Sequence, residues 1–355
     1  VAAAVAALAE AAQRVTAVVG GGTGQQAAAE AVGRVVADRF RALREAVGGP
    51  AMEEALRLTS ELYEQVARLA LAPPGTALPP GPGLTPGQRL TAFAVRQPEP
   101  LAGWLRTLAE TAGGLQLGGA RQQIAAAGGQ QLGPVCRPGI EGRFPFRRDA
   151  AQDVPADDFV RLFAPGGALD QFFQQQLRPY VDASRRPWRP AAVDGAPPVS
   201  ASDVGQFERA SAIREAFFPG VAGSGFRFEL APISLDGGAT AGTLEVEGIP
   251  YPIAPRPGAA GAGRVAVLQW PSRGTVALSF EPASSAGPLA IDGAWSALRF
   301  VQRGRLQPTA SPDRFRLTVA HGDRTAVFEL RTGSATHPFG LRDLAEFRCP
   351  GLAAP

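Results

Sequence analysis

Residues 158–173 read DFVRLFAPGGALDQFF, two Phe-rich runs joined by a Pro-Gly-Gly hinge. Phe159, Leu162 and Phe163 recur at helical spacing, with Asp157 and Asp158 where a helix N-terminus favours acids. Pro165-Gly166-Gly167 ends that helix and re-aims the chain. A second helix then carries Leu169, Phe172, Phe173, Leu177 and Tyr180 along one side. Two readings stand at this point: a loop that cradles a ligand, or a joint between two packed helices. The surroundings decide between them.

Upstream, the pattern is helical. Val1, Val5, Leu8, Ala12, Val15 and Val19 form one stripe, stopped by Gly20-Gly21-Gly22. A second helix runs through Val32, Val36, Phe40, Leu43 and Val47 to Gly48-Gly49-Pro50, and a third carries Met52, Ala55, Leu62, Val66 and Leu69. Residues 72–100, opening with APPGTALPPGPGLTPG, read as an exposed Pro/Gly-rich linker. Helical pattern returns at Leu101 and continues, with glycine breaks, to about Gly133. A further helix after Ser202-Asp203, either of which can cap it, presents Phe207, Ala210, Ile213 and Phe217-Phe218.

Past Gly223 the periodicity changes. FRFEL, TLEVEG, VAVLQW, TVALSF, SALRFV, FRLTVA and TAVFEL are short alternating or β-branched runs punctuated by turn residues. AHGDRT, residues 320–325, is a hairpin loop. The pattern predicts an α+β chain with a helical region over 1–222 and an antiparallel β-sandwich-like domain over 223–355, closed by a short C-terminal helix. Within the first region, helices fill 1–71 and 101–222, the latter including the Phe-rich pair.

Composition narrows the function. Hydrophobic residues at 45% and charged residues at 19% describe a globular chain. Every basic residue is arginine. A net charge of +3 over 355 residues gives no argument for nucleic acid, because the pI near 9.4 reflects the high pKa of arginine. VAAAVAALAEAAQRV is interrupted by Glu10, Gln13 and Arg14 before it reaches a membrane-spanning length of about 20 residues. Val1 in place of Met is expected of a fragment or processed product, with any anchor upstream. Cys136 and Cys349 are even in number, compatible with one disulfide or with two buried thiols.

Candidate chemistry is sparse. GGGTGQQ, residues 20–26, follows a helix and lacks the lysine a phosphate loop needs. His321 in a turn and His337 before Pro338 match no zinc spacing with the two cysteines, and read as satisfied loop histidines. Ser334, His337 and Asp343 outline a hydrolase triad without a nucleophile elbow. Glu245 and Glu247 alternate on a strand as paired glycosidase carboxylates would, although a solvated face is the default. Arginines cluster as Arg143/Arg147/Arg148, Arg185/Arg186/Arg189 and Arg303/Arg305. Arg185, Arg186, Trp188 and Arg189 together have the composition of a partner interface. The residues thus favour a scaffold with partner surfaces, without catalytic, cofactor or metal residues.

From Cys136 to Leu352 the chain resembles the periplasmic C-terminal region of the IcmF/TssM family, the inner-membrane anchor of type VI secretion systems. The resemblance rests on CRPGIEGRFPFRRDAAQDVPADDFVRLFAPGGALDQFFQQQLRPYVD (136–182), RPW (186–188), FERASAIREAFFP (207–219), WP (270–271), GAWSALRF (293–300) and HPFGLRDLAEFRCPGL (337–352), in that order. Phe144 departs from the family's Tyr, His337 from its Asn, and Ala294 and Ser296 from its residues beside Trp295. The resemblance implies a periplasmic module of a membrane complex, with its membrane helices upstream. Its implied partners are a small TssJ-like outer-membrane lipoprotein, a TssL-like inner-membrane protein reached through other segments, and further copies of itself. A cell-wall-directed hydrolase or glycan-binding module, using Glu245, Glu247 or His337, is the alternative.

Two expectations follow from the resemblance. An oxidising compartment makes Cys136 and Cys349 a candidate disulfide, stabilising by roughly 4 to 5 kcal/mol if their Cα atoms lie within about 7 Å. The hinge becomes a structural joint, with Phe159, Phe163, Gly166, Gly167, Phe172, Phe173, Phe217, Phe218 and Trp295 forming the signature of the core where the helical and β halves meet.

Overall fold

A computed structural model describes residues 23–71, 83–192, 195–220, 225–255 and 264–352. The stripe from Val1 to Val19 and Gly20-Gly21-Gly22 lie outside these residues. Helices α1 (Thr23–Val47) and α2 (Pro50–Leu71) join at Gly48-Gly49, as the glycine signals predict. Leu43 of α1 is buried, whereas Phe40 is largely exposed.

The linker reading fails in part. Helix α3 (Pro86–Ala94) lies within it, capped by Thr85, whose hydroxyl accepts from the Gln88 N–H while the Gln88 side chain accepts from the Thr85 N–H. Thr85-Pro-Gly-Gln88 is a capping box with proline at the first helical position, where its missing N–H costs nothing. The glycine breaks beyond Leu101 are absent too, since α4 runs unbroken from Leu101 to Gln131. Each interior glycine costs a helix up to about 1 kcal/mol against alanine, and tertiary packing offsets that here. Gly113 and Gly128 are buried, and a Cβ on Gly128 would stand 2.7 Å from Leu352 Cδ1. Leu43, Leu58, Leu62, Leu90, Leu101 and Leu105 form the first hydrophobic cluster, with a buried Gln65–Gln116 hydrogen bond joining α2 to α4.

Helices α5 (Cys136–Ile140), α6 (Ala156–Phe163) and α7 (Ala168–Phe172) follow. The last continues through a π turn (Phe173–Leu177) and a 3-10 turn (Arg178–Tyr180). Both hinge glycines are required. Gly166 has φ +72°, and a Cβ on Gly167 would lie 2.8–3.0 Å from the carbonyl oxygens of Arg161, Ala164 and Leu162. Short strands β1 (Val181–Asp182) and β2 (Arg189–Pro190) pair before α8 (Ala201–Phe217). Ser200, not Ser202 or Asp203, caps α8, accepting from the Asp203 N–H. The apolar pattern starts a turn earlier than it reads, because Val204 is already fully buried.

The rest is an antiparallel sandwich. Its strands are β3 (Phe226–Asp236), β4 (Ala241–Val246), β5 (Ile249–Ile253), β6 (Ala266–Trp270), β7 (Val276–Glu281), β8 (Leu289–Ile291), β9 (Arg305–Pro308), β10 (Arg314–His321) and β11 (Arg324–Arg331). One sheet has the order β6-β3-β11-β10-β9 and the other β5-β4-β7-β8. Alternation sends Phe226, Phe228, Leu230, Leu317 and Phe328 inward from the first sheet, against Leu244, Val276, Leu278 and Phe280 from the second. SALRFV is no strand. Residues Ser296–Arg303 form helix α9, burying Ala297, Leu298, Phe300 and Val301 while Arg299 and Arg303 turn out. That spacing is the 3-and-4 rhythm of a helix, hidden in a six-residue window. A short helix, α10 (Arg342–Glu346), precedes the end.

Hydrophobic clusters do not divide at residue 222. Trp270 and Trp295, both from the β half, pack against Phe159 at 4.9 and 5.2 Å between ring centroids, and Phe217 lies 5.0 Å from Trp270. Leu344, Phe347 and Leu352 join the same cluster.

Candidate functional site

The Arg-Trp loop lies between β1 and α8. Trp188 is half-buried, its ring 4.9 Å from Phe173, and its backbone N–H donates to Glu208 Oε2 at 3.0 Å. Arg186 donates to both oxygens of Glu215, at 2.9 and 3.2 Å. Arg185 and Arg189 stay exposed. Two of the four residues are therefore already used within the chain. Beneath the loop, Trp188, Phe173, Phe207 and the Arg214–Asp170 ion pair line a cleft of about 200 Å³. Asp182, exposed next to the lining residue Ala183, has its carboxyl held below the ordinary range by hydrogen bonds from Ser184.

Cys136 and Cys349 are joined, with Cα atoms 5.9 Å apart across 213 residues of sequence. The bond links the start of α5 to the chain's last described turn, beside the contact of Gly128 with Leu352. Phe159, Phe163, Phe172, Phe173, Phe217, Phe218 and Trp295 are all buried in one cluster. Trp295 also donates from Nε1 to the Val154 carbonyl at 2.6 Å.

Among the described residues no hydrogen bond joins the residues that suggested hydrolysis to one another. Glu245 points to solvent from β4. Glu247 does not continue that face: with Gly248 it forms the two-residue β4–β5 turn, at φ +53° and +82°. Its carboxylate accepts from the Arg273 N–H at 2.7 Å. His337 packs edge-on against Phe315, 4.9 Å between ring centroids, and Ser334 Oγ accepts from the Thr336 N–H. Burial holds the His337 pKa below its ordinary 6.5, opposed by the Phe339 and Pro312 backbone. His321 is not a satisfied histidine, because its buried Nε2 has no partner among the described residues. Thr23–Gln26, the end of GGGTGQQ, open α1. No group of three or more His, Cys, Asp or Glu suited to a metal occurs among the described residues. Nor is any described helix long and apolar enough to cross a membrane.

Sequence reading missed a second cleft. Arg148, from the segment before α6, meets Arg299 and Arg303 of α9 around a space of about 330 Å³. Two of the arginine clusters contribute to it from more than 150 residues apart, a convergence that no local pattern signals.

Residues 228–334, from β3 through β11, match the family described as the type VI secretion protein IcmF C2-like domain. Over 301 residues the chain is 31% identical to the type VI secretion system component TssM1 of Pseudomonas aeruginosa, covering 81% of this chain and 27% of that relative. The chain thus spans 27% of the length of the curated relative it matches. Among solved structures, a chain of a type VI secretion system membrane core complex has a similar fold, with a TM-score of 0.58 at 18% identity over 74% of this chain and 56% of that one. The C-terminal domain of the T6SS protein TssM from EAEC gives 0.52 at 18% identity, over 66% of this chain and 98% of that domain. Through its IcmF C2-like domain, and through its similarity to TssM1 over 81% of its length, the chain belongs to the IcmF/TssM family.

Proposed function

We propose that the chain is a periplasmic structural and assembly module of a type VI secretion membrane complex, one that reaches toward and binds a small outer-membrane lipoprotein. Its role is non-enzymatic. The observation that carries the periplasmic placement is the Cys136–Cys349 pairing, because such bonds persist in oxidising compartments. The similarity to TssM1 supports the assembly role. Partner contact is assigned to the exposed Arg185 and Arg189 and to the exposed edge of Trp188, which lines a cleft at the protein surface. An inner-membrane TssL-like partner is reached through other segments, and further copies join the same assembly.

The test is calorimetry of this chain against the soluble domain of the small lipoprotein from the same secretion system. A saturable one-to-one complex of micromolar affinity or better is expected. Absence of heat at several temperatures sinks the lipoprotein reading. Counting thiols on unreduced, denatured protein checks the compartment separately: none is expected, and two would remove its support. Glu245, Glu247 and His337 offer no observation in favour of cell-wall hydrolysis.

A further inference from the structure

The second cleft carries charges that the fold itself does not use. Arg147 is paired with Asp149, and Arg299 with Asp153. Arg148 and Arg303 are exposed, and among the described residues neither guanidinium has an ion-pair or hydrogen-bond partner. The site is also built rather than loose. Arg299 donates from Nε at 2.8 Å to Asp153 and from Nη2 at 2.8 Å to the Ala150 carbonyl. Its guanidinium lies 4.3 Å from the Phe144 ring centroid. Gln302 Nε2 donates to the Arg148 carbonyl at 2.8 Å, tying the loop to α9. The walls are therefore set before anything binds, which lowers the entropic cost of binding.

The positive surface continues beyond the lip. Arg305 is two residues past Arg303, at the start of edge strand β9. Leu306 and Leu317 are register partners, and Leu317 belongs to the interior. Arg305 and Arg316 therefore share the outer face of that sheet. Both are exposed, and neither has an ion-pair partner among the described residues. A run of four arginines without an ion pair among the described residues thus leads from the cleft across two strands; the nearby acids Asp149 and Glu329 pair with Arg147 and with Arg314 and Arg331 instead.

We infer that the cleft between the Arg148–Ala151 loop and α9 is a docking site for an acidic segment of a partner polypeptide, with the segment's carboxylates following Arg148, Arg303, Arg305 and Arg316. Planar guanidinium forks match carboxylates in pairs, and a row of them running from the cleft across two neighbouring strands suits an extended chain. A membrane surface fits less well. The large exposed apolar residues of this sheet, Val265 and Val267, lie in or just before β6, the opposite edge from β9, so among the described residues none stands beside Arg305 and Arg316 to insert. Ile291 lines the cleft instead, offering contact to a side chain stem. The site is independent of the Arg-Trp loop and of which assembly the chain joins.

Fluorescence anisotropy of labelled octaglutamate, titrated with the whole chain at rising salt, tests the inference. Saturable binding that weakens with salt is expected. The double variant Arg148→Glu/Arg303→Glu should bind at least about fivefold more weakly, while Arg41→Glu, a charge reversal on α1, leaves binding unchanged. The milder pair Arg148→Ala/Arg303→Ala should lie between, and melting curves confirm that each variant is folded. Equal binding by wild type and double variant overturns the proposal, as does no binding at low salt. Binding to phosphatidylglycerol vesicles that the double variant loses, without octaglutamate binding, also overturns it and assigns the cleft to a lipid surface.

Discussion

Gly225 shows how closely a single residue is held at the entry to the sandwich. Its φ is +80°, and a Cβ there would stand 2.0 Å from the Trp270 carbonyl oxygen, a backbone atom that cannot swing away. Gly225→Ala should destabilise the protein by more than about 2 kcal/mol, read as a loss in chemical denaturation. His337 gives a prediction of a different kind. Burial lowers its folded pKa below 6.5, so the unfolded chain takes up the proton first as pH falls. Stability is then full above 6.5 and declines as pH drops through 6.5 toward the folded pKa. His337→Phe, which keeps an aromatic edge on Phe315, should flatten that part of the curve; melting temperatures of both proteins between about pH 8 and pH 5 check it. An equal slope in the variant assigns the dependence to other groups.

At the scale of elements, the joint at Pro165-Gly166-Gly167 was legible because its signals are local. The phenylalanine spacing, the acids at the first turn and the glycines all act within a few residues. Phe172 is fully buried, and Phe172→Ala should cost about 3–5 kcal/mol, measured by the same denaturation. Helix α9 was misread for the converse reason. Six residues are too few to tell its 3-and-4 spacing from a strand's, and its seating against both sheets and the 144–153 segment decides. Arg299 fixes that seating through Asp153, the Ala150 carbonyl and the Phe144 ring. Arg299→Lys keeps the charge but loses the fork and the stacking, and should destabilise by about 2–3 kcal/mol. An unchanged midpoint would show that the helix is held by its apolar face alone.

For the whole molecule, the disulfide is the covalent tie across the fold. Closing 213 residues restricts the unfolded chain by about 5 kcal/mol of lost entropy. Cys136→Ser should lower stability by a large part of that, to the same extent as Cys349→Ser, and the double variant should cost no more than either single one. A double variant with additive losses would mean that the two cysteines act separately. The bond closes the cluster in which Trp270 and Trp295 of the sandwich meet Phe159 and Phe217 of the helices, so both halves should unfold in one transition.

Taken alone, the sequence determined the change from helical to strand pattern past Gly223, the Phe-rich joint and the family to which the chain is similar. Those follow from periodicity, turn residues and motif order, all read within short windows. The tertiary structure decided what depends on distant residues meeting. It joined Cys136 to Cys349, paired Arg186 with Glu215 at the surface, placed Glu247 in a turn, and brought Arg148 beside Arg303. Charge and sulfur chemistry act over a few ångströms in space, while a sequence pattern records only neighbours along the chain.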